Sequence, residues 1–461
     1  MEQKITFDLD LIQRYDKAGP RYTSYPTAVE FDPNFASVTY KQQVALSNQR
    51  GGPLSLYFHL PFCDTVCFYC ACNKIITKNR NHAQPYLANL HKEIEMQAAL
   101  FDSARIVEQL HWGGGTPTFL NHQQMRDLMA KTRQHFTLAD DDMGEFSIEI
   151  DPREADAETI AVLREIGFNR LSLGVQDFNP TVQKTVNRIQ SESETFAVID
   201  AARHHGFTSI SLDLIYGLPH QTTTSFLETL DKVISIADPD RLSIFNYAHM
   251  PERFKVQRQI NSEDLPSPEV KLDILHHSIE KLTAAGYIYI GMDHFAKPND
   301  ELAIAQRENK LYRNFQGYST HSECDLIGLG ITSIGSVGDS YSQNQRTLEE
   351  YAKCIATNQL PVFRGITLHD DDKIRRQVIT QLICHFSLDT TAIEAKFNIT
   401  FADYFADVYP QLDQFAADGL IYYDATKIEV LPVGHLLIRN ICMAFDYYIQ
   451  HKTDQHFSKI I

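Results

Sequence analysis

Seven short apolar runs, separated by longer stretches of helical pattern, punctuate the first two thirds of the chain: PLSLYFHLPF, VEQLHWGGG, EFSIEID, RLSLGVQ, SISLDLIYG, DRLSIFNYAHM and YIYIGMDHF. Strands alternating with helices predict a parallel sheet built from right-handed crossovers. Spacings of about 25 to 50 residues fit a barrel or partial barrel better than a sandwich of two sheets. Successive strand side chains point to opposite faces, so each run divides into two rows. One row is apolar: Leu54, Leu56, Phe58; Phe146, Ile148, Ile150; Leu171, Leu173, Val175; Leu212, Leu214. The other is small or polar: Ser55, Tyr57, His59; Ser147, Glu149, Asp151; Ser172, Gly174, Gln176; Ser211, Asp213, Ile215; and Ser243 opens a fifth run the same way. A closed eight-stranded barrel fills its interior with bulky branched side chains. A lining of serine and carboxylate predicts instead an open, partial parallel β/α barrel with room for a ligand. The competing reading is that serine is common and any strand alternates.

Two segments fall outside this pattern. Residues 1–50, with YDKAGPRYTSYPTAVEFDPNF, read as an N-terminal arm rich in Tyr, Pro and turn formers. Residues 361–461 read as a small, mainly helical C-terminal domain with a β-wing at LIYYDATKIEVLPVG, leaving 51–360 for the barrel. No apolar run approaches the ~20 residues that span a bilayer, and the start lacks a signal-peptide pattern, so a cytoplasmic protein without a membrane partner is expected. The net charge of −17 argues against a nucleic-acid partner, which needs a positive surface. Nothing in the sequence demands an oligomer, and a monomer is expected.

Four of the eight cysteines, Cys63, Cys67, Cys70 and Cys72, crowd into HLPFCDTVCFYCACNK directly after the first strand. In a reducing cytosol such thiols are metal ligands or redox groups rather than disulfides. The spacing CxxxCxxC at the carboxyl end of a strand suits an iron–sulfur cluster. Three ligands for four irons leave one iron open, as S-adenosylmethionine would need. Structural zinc remains an alternative but calls for further paired cysteines or histidines. A redox pair at Cys67 and Cys70 leaves Cys63 and Cys72 idle. Cys324, Cys354, Cys384 and Cys442 are scattered and read as buried thiols.

CxxxCxxC with an aromatic residue, here Tyr69, before the third cysteine resembles the radical S-adenosylmethionine enzymes. RYTSYPTA, CFYCACNK, HWGGGTP, SIEIDPRE, LSLGVQDF, QKTVNRIQ, DLIYGLP and GLGITSIG extend the resemblance to the oxygen-independent coproporphyrinogen III oxidase family over nearly the whole chain. The resemblance implies a 4Fe–4S cluster on Cys63, Cys67 and Cys70, and two molecules of S-adenosylmethionine. Their implied contacts are Tyr57, Tyr69, Gly114, Gly115, Thr116, Glu149, Ala248 and Ile334, with Gln176, Arg188 and Asp213 at the second molecule. Glu149 and Asp151 could equally form a salt bridge inside the barrel, and Ala248 and Ile334 could be ordinary packing. Tyr57, Glu149 and the non-ligating Cys72 are the implied catalytic residues, although Cys72 could be only a packed thiol.

The implied reaction is oxidative decarboxylation of two propionates of coproporphyrinogen III to vinyl groups by a 5′-deoxyadenosyl radical, giving protoporphyrinogen IX. It requires a reducing electron donor such as a flavodoxin-type protein. Arg21, Lys74, Lys78 and Arg80 are candidates for holding the substrate's four carboxylates, or are solvated surface. The arm could fold over the barrel mouth. The nearest rival is a haem chaperone of the same superfamily; those relatives typically lack both the RYTSYPTA arm and a cysteine at the position of Cys72.

Overall fold

The computed structural model describes residues 5–140 and 142–451, which divide into two units, each discontinuous in sequence. The larger, residues 31–278 and 323–367, is built on one sheet. Its main strands are β1 (Leu54–Leu60), β2 (Ile106–Gly114), β3 (Glu145–Ile150), β4 (Arg170–Gln176), β5 (Ser209–Tyr216), β6 (Arg241–Asn246), β7 (Asp325–Leu329), β8 (Ile334–Val337), β9 (Ser340–Asn344) and β10 (Val362–Thr367). The spatial order is β6-β5-β4-β3-β2-β1-β7-β8-β9-β10. From β6 to β7 the neighbours are parallel, and from β7 to β10 they are antiparallel. This is the partial (β/α) barrel that the alternation of strands and helices predicts.

The crossover helices start where the sequence supplies caps. Asn121 and Gln124 form a reciprocal capping box at His122–His135, Ser191 and Glu194 at Glu192–His204, and Thr222 and Ser225 at Thr223–Lys232. Burial follows the two rows. In β4, Leu171, Leu173 and Val175 are buried while Ser172, Gly174 and Gln176 stay half-open, and β5 repeats the pattern. Register carries the polar row across strands: Tyr57 pairs with His111, His111 with Ser147, Glu149 with Ser172, Ser172 with Ser211, and Asp213 with Ser243.

The smaller unit joins residues 5–30, 279–322 and 368–451. The helices at Asp370–His385 and Ile438–Met443 belong to it, with a small sheet of Ser387–Asp389, Lys427–Val430 and Ile421–Tyr423. This is the helical C-terminal region with its β-wing. The first residues are tied into it by Arg14 Nη1 to Asp418 (2.7 Å), Tyr22 Oη to Asp446 (2.9 Å) and Arg439 Nε to the Pro20 carbonyl (2.8 Å).

Three stretches depart from the sequence reading. The segment 1–50 is not uniformly extended. Leu9–Tyr15 is a helix capped by Asp8, and Ser37–Arg50, with its buried Tyr40 and Val44, is a helix of the larger unit. YIYIGMDHF forms not one strand but two, a hairpin of Ile288–Gly291 and His294–Ala296, turned by Gly291 and Met292 at positive φ. The strands β7 to β10 carry too few apolar residues in alternation to announce themselves.

Candidate active site

The carboxyl end of β1 delivers the cysteine loop. Phe62–Cys63 pairs with Ile75–Ile76, so the loop leaves and returns at one place. Phe68 N–H donates to the Val186 carbonyl (2.9 Å), Asn187 Nδ2 to that of Val66 (2.8 Å), and Gln257 Nε2 to that of Tyr69 (3.0 Å). The same Gln257 nitrogen reaches the Ala248 carbonyl at 3.3 Å, which brings Ala248, beyond the end of β6, to the loop. Cations and hydroxyls surround the sulfurs. Thr116 Oγ1 donates to Cys63 Sγ (3.5 Å), while Arg188 Nη1 and Arg153 Nη2 stand 3.5 and 3.7 Å from Cys67 Sγ. Hydrogen bonds to the sulfurs are among the means by which a protein tunes a thiolate-bound cluster. Burial pushes the Cys63 thiol up to about 11. A hydrogen bond from Cys72 holds Cys70 down to about 6 and pushes Cys72 itself up. Cys72 is the exposed member of the four.

Beside the loop, β2 ends in Gly113, Gly114, Gly115 and Thr116. Gly114 has φ +115°, and a Cβ there would lie 2.7 Å from the His59 ring; a Cβ on Gly115 would lie 2.7 Å from the Pro61 backbone. Glycine is therefore required for the backbone to approach both β1 and Glu149. Gly114 N–H donates to Glu149 Oε2 (3.0 Å), and His111 Nε2 lies 3.4 Å from Oε1. Burial pushes the Glu149 carboxyl up, but the His111 hydrogen bond and charge and the Gly114 amide outweigh it and hold it below its usual range. Its side chain nevertheless keeps 45% of its surface accessible. It is hydrogen-bonded yet reachable. Tyr57 stacks on His111 with centroids 5.8 Å apart, and its hydroxyl lies 3.2 Å from His59 Nδ1; His59 Nε2 is 3.0 Å from the Asn73 carbonyl.

On the far side of the polar face, Asp213 is held by Ser172 Oγ (3.2 Å) and the Ser243 hydroxyl, and burial moves its carboxyl up to about 6. Arg188 gives Nη1 to Asp151 (2.9 Å) and Nη2 to the Gly174 carbonyl (2.5 Å). Arg153 shares the same Asp151 oxygen (2.6 Å), so Asp151 is the salt-bridge carboxylate of this face. Gln176 turns out of β4 at φ +69°. Its Oε1, Arg188 Nε and Asn246 Oδ1 are buried without a hydrogen-bond partner. Native folds rarely leave such atoms unmet, and two of them at strand ends, with a third on the Arg188 side chain that donates to Gly174 of β4, call for a ligand. Three clustered thiols and these orphaned atoms fit a thiolate-bound cluster with a polar cofactor beside it. Ile334, half-buried at the start of β8, pairs with Gln343.

Of the cations proposed for substrate, Arg80 is taken by Asp64 (2.5 Å) and Glu154 (2.7 Å), Lys74 Nζ by the Cys70 carbonyl (3.0 Å), and Arg21 by Asp293 (2.6 Å). Lys78 is exposed. His111, Arg153, Gln257 and Asn246 were not singled out by sequence. His111 stood two residues before the glycine run on a polar row, which could have found it. Gln257 lies in a stretch without strand or motif, and nothing local marks it.

The radical SAM superfamily model matches residues 57–233, and the HemN C-terminal domain model matches residues 368–437. The oxygen-independent coproporphyrinogen III oxidase of Pseudomonas aeruginosa is 54% identical over 461 residues, covering the whole of both chains. The chain belongs to the oxygen-independent coproporphyrinogen III oxidase family. The family member of Escherichia coli K12 is 52% identical over 460 residues, covering 100% of this chain and 99% of its own. The solved structure of Escherichia coli coproporphyrinogen III oxidase (HemN), described as a radical SAM enzyme, aligns with TM-score 0.92 at 50% identity over 96% of this chain and 100% of that one. Membership of the radical SAM superfamily implies a 4Fe–4S cluster and S-adenosylmethionine.

Proposed function

We propose that this chain converts two propionate side chains of coproporphyrinogen III to vinyl groups without oxygen, giving protoporphyrinogen IX for haem synthesis. The observation that carries this reading is the three-cysteine loop set against Gly114 and Glu149, in a chain related end to end to oxidases of that name. When bound, the cluster and S-adenosylmethionine supply the reducing electron and the hydrogen abstraction, and each conversion removes one hydrogen atom, one carbon dioxide and one further electron.

The chain's own residues bind, orient and exclude water. Cys63, Cys67 and Cys70 hold the cluster, with Thr116 and Arg188 donating to two of the sulfurs. Glu149, ionised and amide-bound, is placed to receive an ammonium group. Tyr57, Tyr69, Gly114, Gly115, Thr116, Ala248 and Ile334 complete the first cofactor site. Gln176, Arg188 and Asp213 form a second one, supported by the orphaned atoms of Gln176 and Arg188, so that two molecules of S-adenosylmethionine bind. Cys72 is the non-ligating thiol that turnover needs. The barrel, read from the sequence as 51–360 and carried on by β10 to Thr367, holds the chemistry, with the segments before and after it as accessory. The enzyme works as a cytoplasmic monomer fed by a flavodoxin-type donor, with no nucleic-acid or membrane partner. Among the described residues no helix is long and apolar enough to cross a membrane.

The test is anaerobic reconstitution with S-adenosylmethionine, a reductant and coproporphyrinogen III, followed by oxidation and porphyrin analysis. Monovinyl and then divinyl product is expected. Their absence from intact, cluster-bearing protein overturns the reading.

A further inference from the structure

The polar face of the sheet does not stop at Tyr57. Tyr57 pairs with Gly328 on β7, whose missing Cβ lets the Ile334 backbone of β8 approach to 2.8 Å of where it would stand. Ile334 then pairs with Gln343 on β9, and Gln343 with Arg364 on β10. Residues paired across neighbouring strands share a face. Arg364 therefore stands on the face of Tyr57 and Glu149, four strand spacings or roughly 19 Å along the sheet from Tyr57.

Arg364 is aimed rather than loose. Its Nε donates to Gln343 Oε1 (2.7 Å), while Gln343 Nε2 donates to the Thr332 carbonyl (3.2 Å). The guanidinium lies 5.6 Å from the Phe31 ring centroid and 6.0 Å from that of Phe363. Close by is Arg346, whose carbonyl accepts a hydrogen bond from Asn73 Nδ2 (3.1 Å) at the end of the cysteine loop. Burial first, and then the charge of Arg346, push Arg364 below the ordinary guanidinium range. Among the described residues no carboxylate pairs with either arginine. The chain has 59 acidic side chains against 42 basic ones. Two neighbouring guanidinia left to repel each other in so acidic a chain, while Arg80 and Arg21 are neutralised, make a site for an anion.

We propose that Arg364 and Arg346 anchor a carboxylate of the tetrapyrrole substrate, on a propionate remote from the one reacting, and that Gln343 positions Arg364. This rests on the function proposed above. The planar fork of arginine suits a carboxylate bidentately. Anchoring one propionate at β10 fixes how far the opposite side of the macrocycle reaches toward Tyr57 and the cysteine loop.

The test uses the full, cluster-loaded chain. Coproporphyrin III and its tetramethyl ester are titrated in the same detergent buffer against wild type, R364Q, R364K and R346Q. The tetra-acid is expected to bind R364Q about tenfold or more weakly than wild type, with ester binding unchanged and R364K recovering part of the loss. The KM for coproporphyrinogen III should rise in step while kcat stays within about twofold, with cluster absorbance and S-adenosylmethionine cleavage unaltered. R346Q, at an exposed position, should show the same sign and carries the test should R364Q lose its cluster. Tetra-acid affinity equal to wild type in the cluster-bearing variants, or equal loss for acid and ester, overturns the anchor. Wild type that yields no vinyl product, while R364Q still loses tetra-acid affinity selectively, overturns the reaction and leaves the anchor standing.

Discussion

Replacing Asp213 with asparagine should stabilise the fold while weakening the site. The carboxyl sits on β5 with Ser172 Oγ at 3.2 Å and the Ser243 hydroxyl beside it, and no lysine or arginine pairs with it among the described residues. Burial, eased by Ser243 and Ser172 and reinforced by the charge of Glu149, moves its pKa from 3.8 to about 6. A carboxyl raised in this way favours the folded state when protonated. Its contribution is intact below about pH 4, falls as pH rises toward 6, and is gone above that. The difference between 3.8 and about 6 corresponds to roughly 3 kcal/mol at neutral pH and above, and to about half of that at pH 5. Asparagine carries no charge to desolvate and keeps one oxygen for the serines. D213N should therefore gain roughly 3 °C in Tm at pH 8, given an unfolding entropy of about 2 cal/mol/K per residue over 461 residues. At pH 5 the gain should shrink to about half. The assay is thermal unfolding of the metal-free protein by circular dichroism at both pH values. A variant less stable than wild type at pH 8, or a gain equal at both, would refute the reasoning. The same variant should bind S-adenosylmethionine more weakly, the trade expected where a strained group serves function.

Serine at Cys63, Cys67 or Cys70 should abolish the cluster's visible absorbance after reconstitution, whereas Cys72→Ser should keep that absorbance and lose vinyl product. Glu149→Gln should leave the cluster intact and weaken S-adenosylmethionine by about tenfold or more, read by equilibrium dialysis, because the ionised carboxylate is replaced by a neutral amide. Gln257→Leu removes the amide that bridges the Tyr69 and Ala248 carbonyls, at a cost of about 1–3 kcal/mol. Chelator should then strip its cluster several-fold faster than from wild type.

The strands β1 to β6 and their polar row were legible because a period of two is local: Ser172, Gly174 and Gln176 alternate with Leu171, Leu173 and Val175 whatever lies elsewhere. The cysteine spacing was legible for the same reason. What pairs with what was not. Asp151 meets Arg188 across 37 residues and Gln257 meets Tyr69 across 188, and no local pattern encodes such contacts. Counting cations near the loop pointed to Arg80, yet Asp64 and Glu154 consume it. Arg364 drew no notice because β10 is short, half-buried and antiparallel, and its importance lies in a register running through three other strands.

The contact between Tyr57 and His59 has a consequence for chemical sign. A carbonyl can only accept, so His59 Nε2, 3.0 Å from that of Asn73, carries the ring's hydrogen. Burial holds the ring neutral, which leaves Nδ1 as an acceptor. The phenol 3.2 Å away must then donate to it, and its one hydrogen is spent. All that Tyr57 offers a guest is lone pairs. An ammonium or a hydroxyl is welcome against it, and a bare carboxylate is turned away. The backbone of the cysteine loop, by fixing a tautomer, sorts what settles there by whether it brings its own proton.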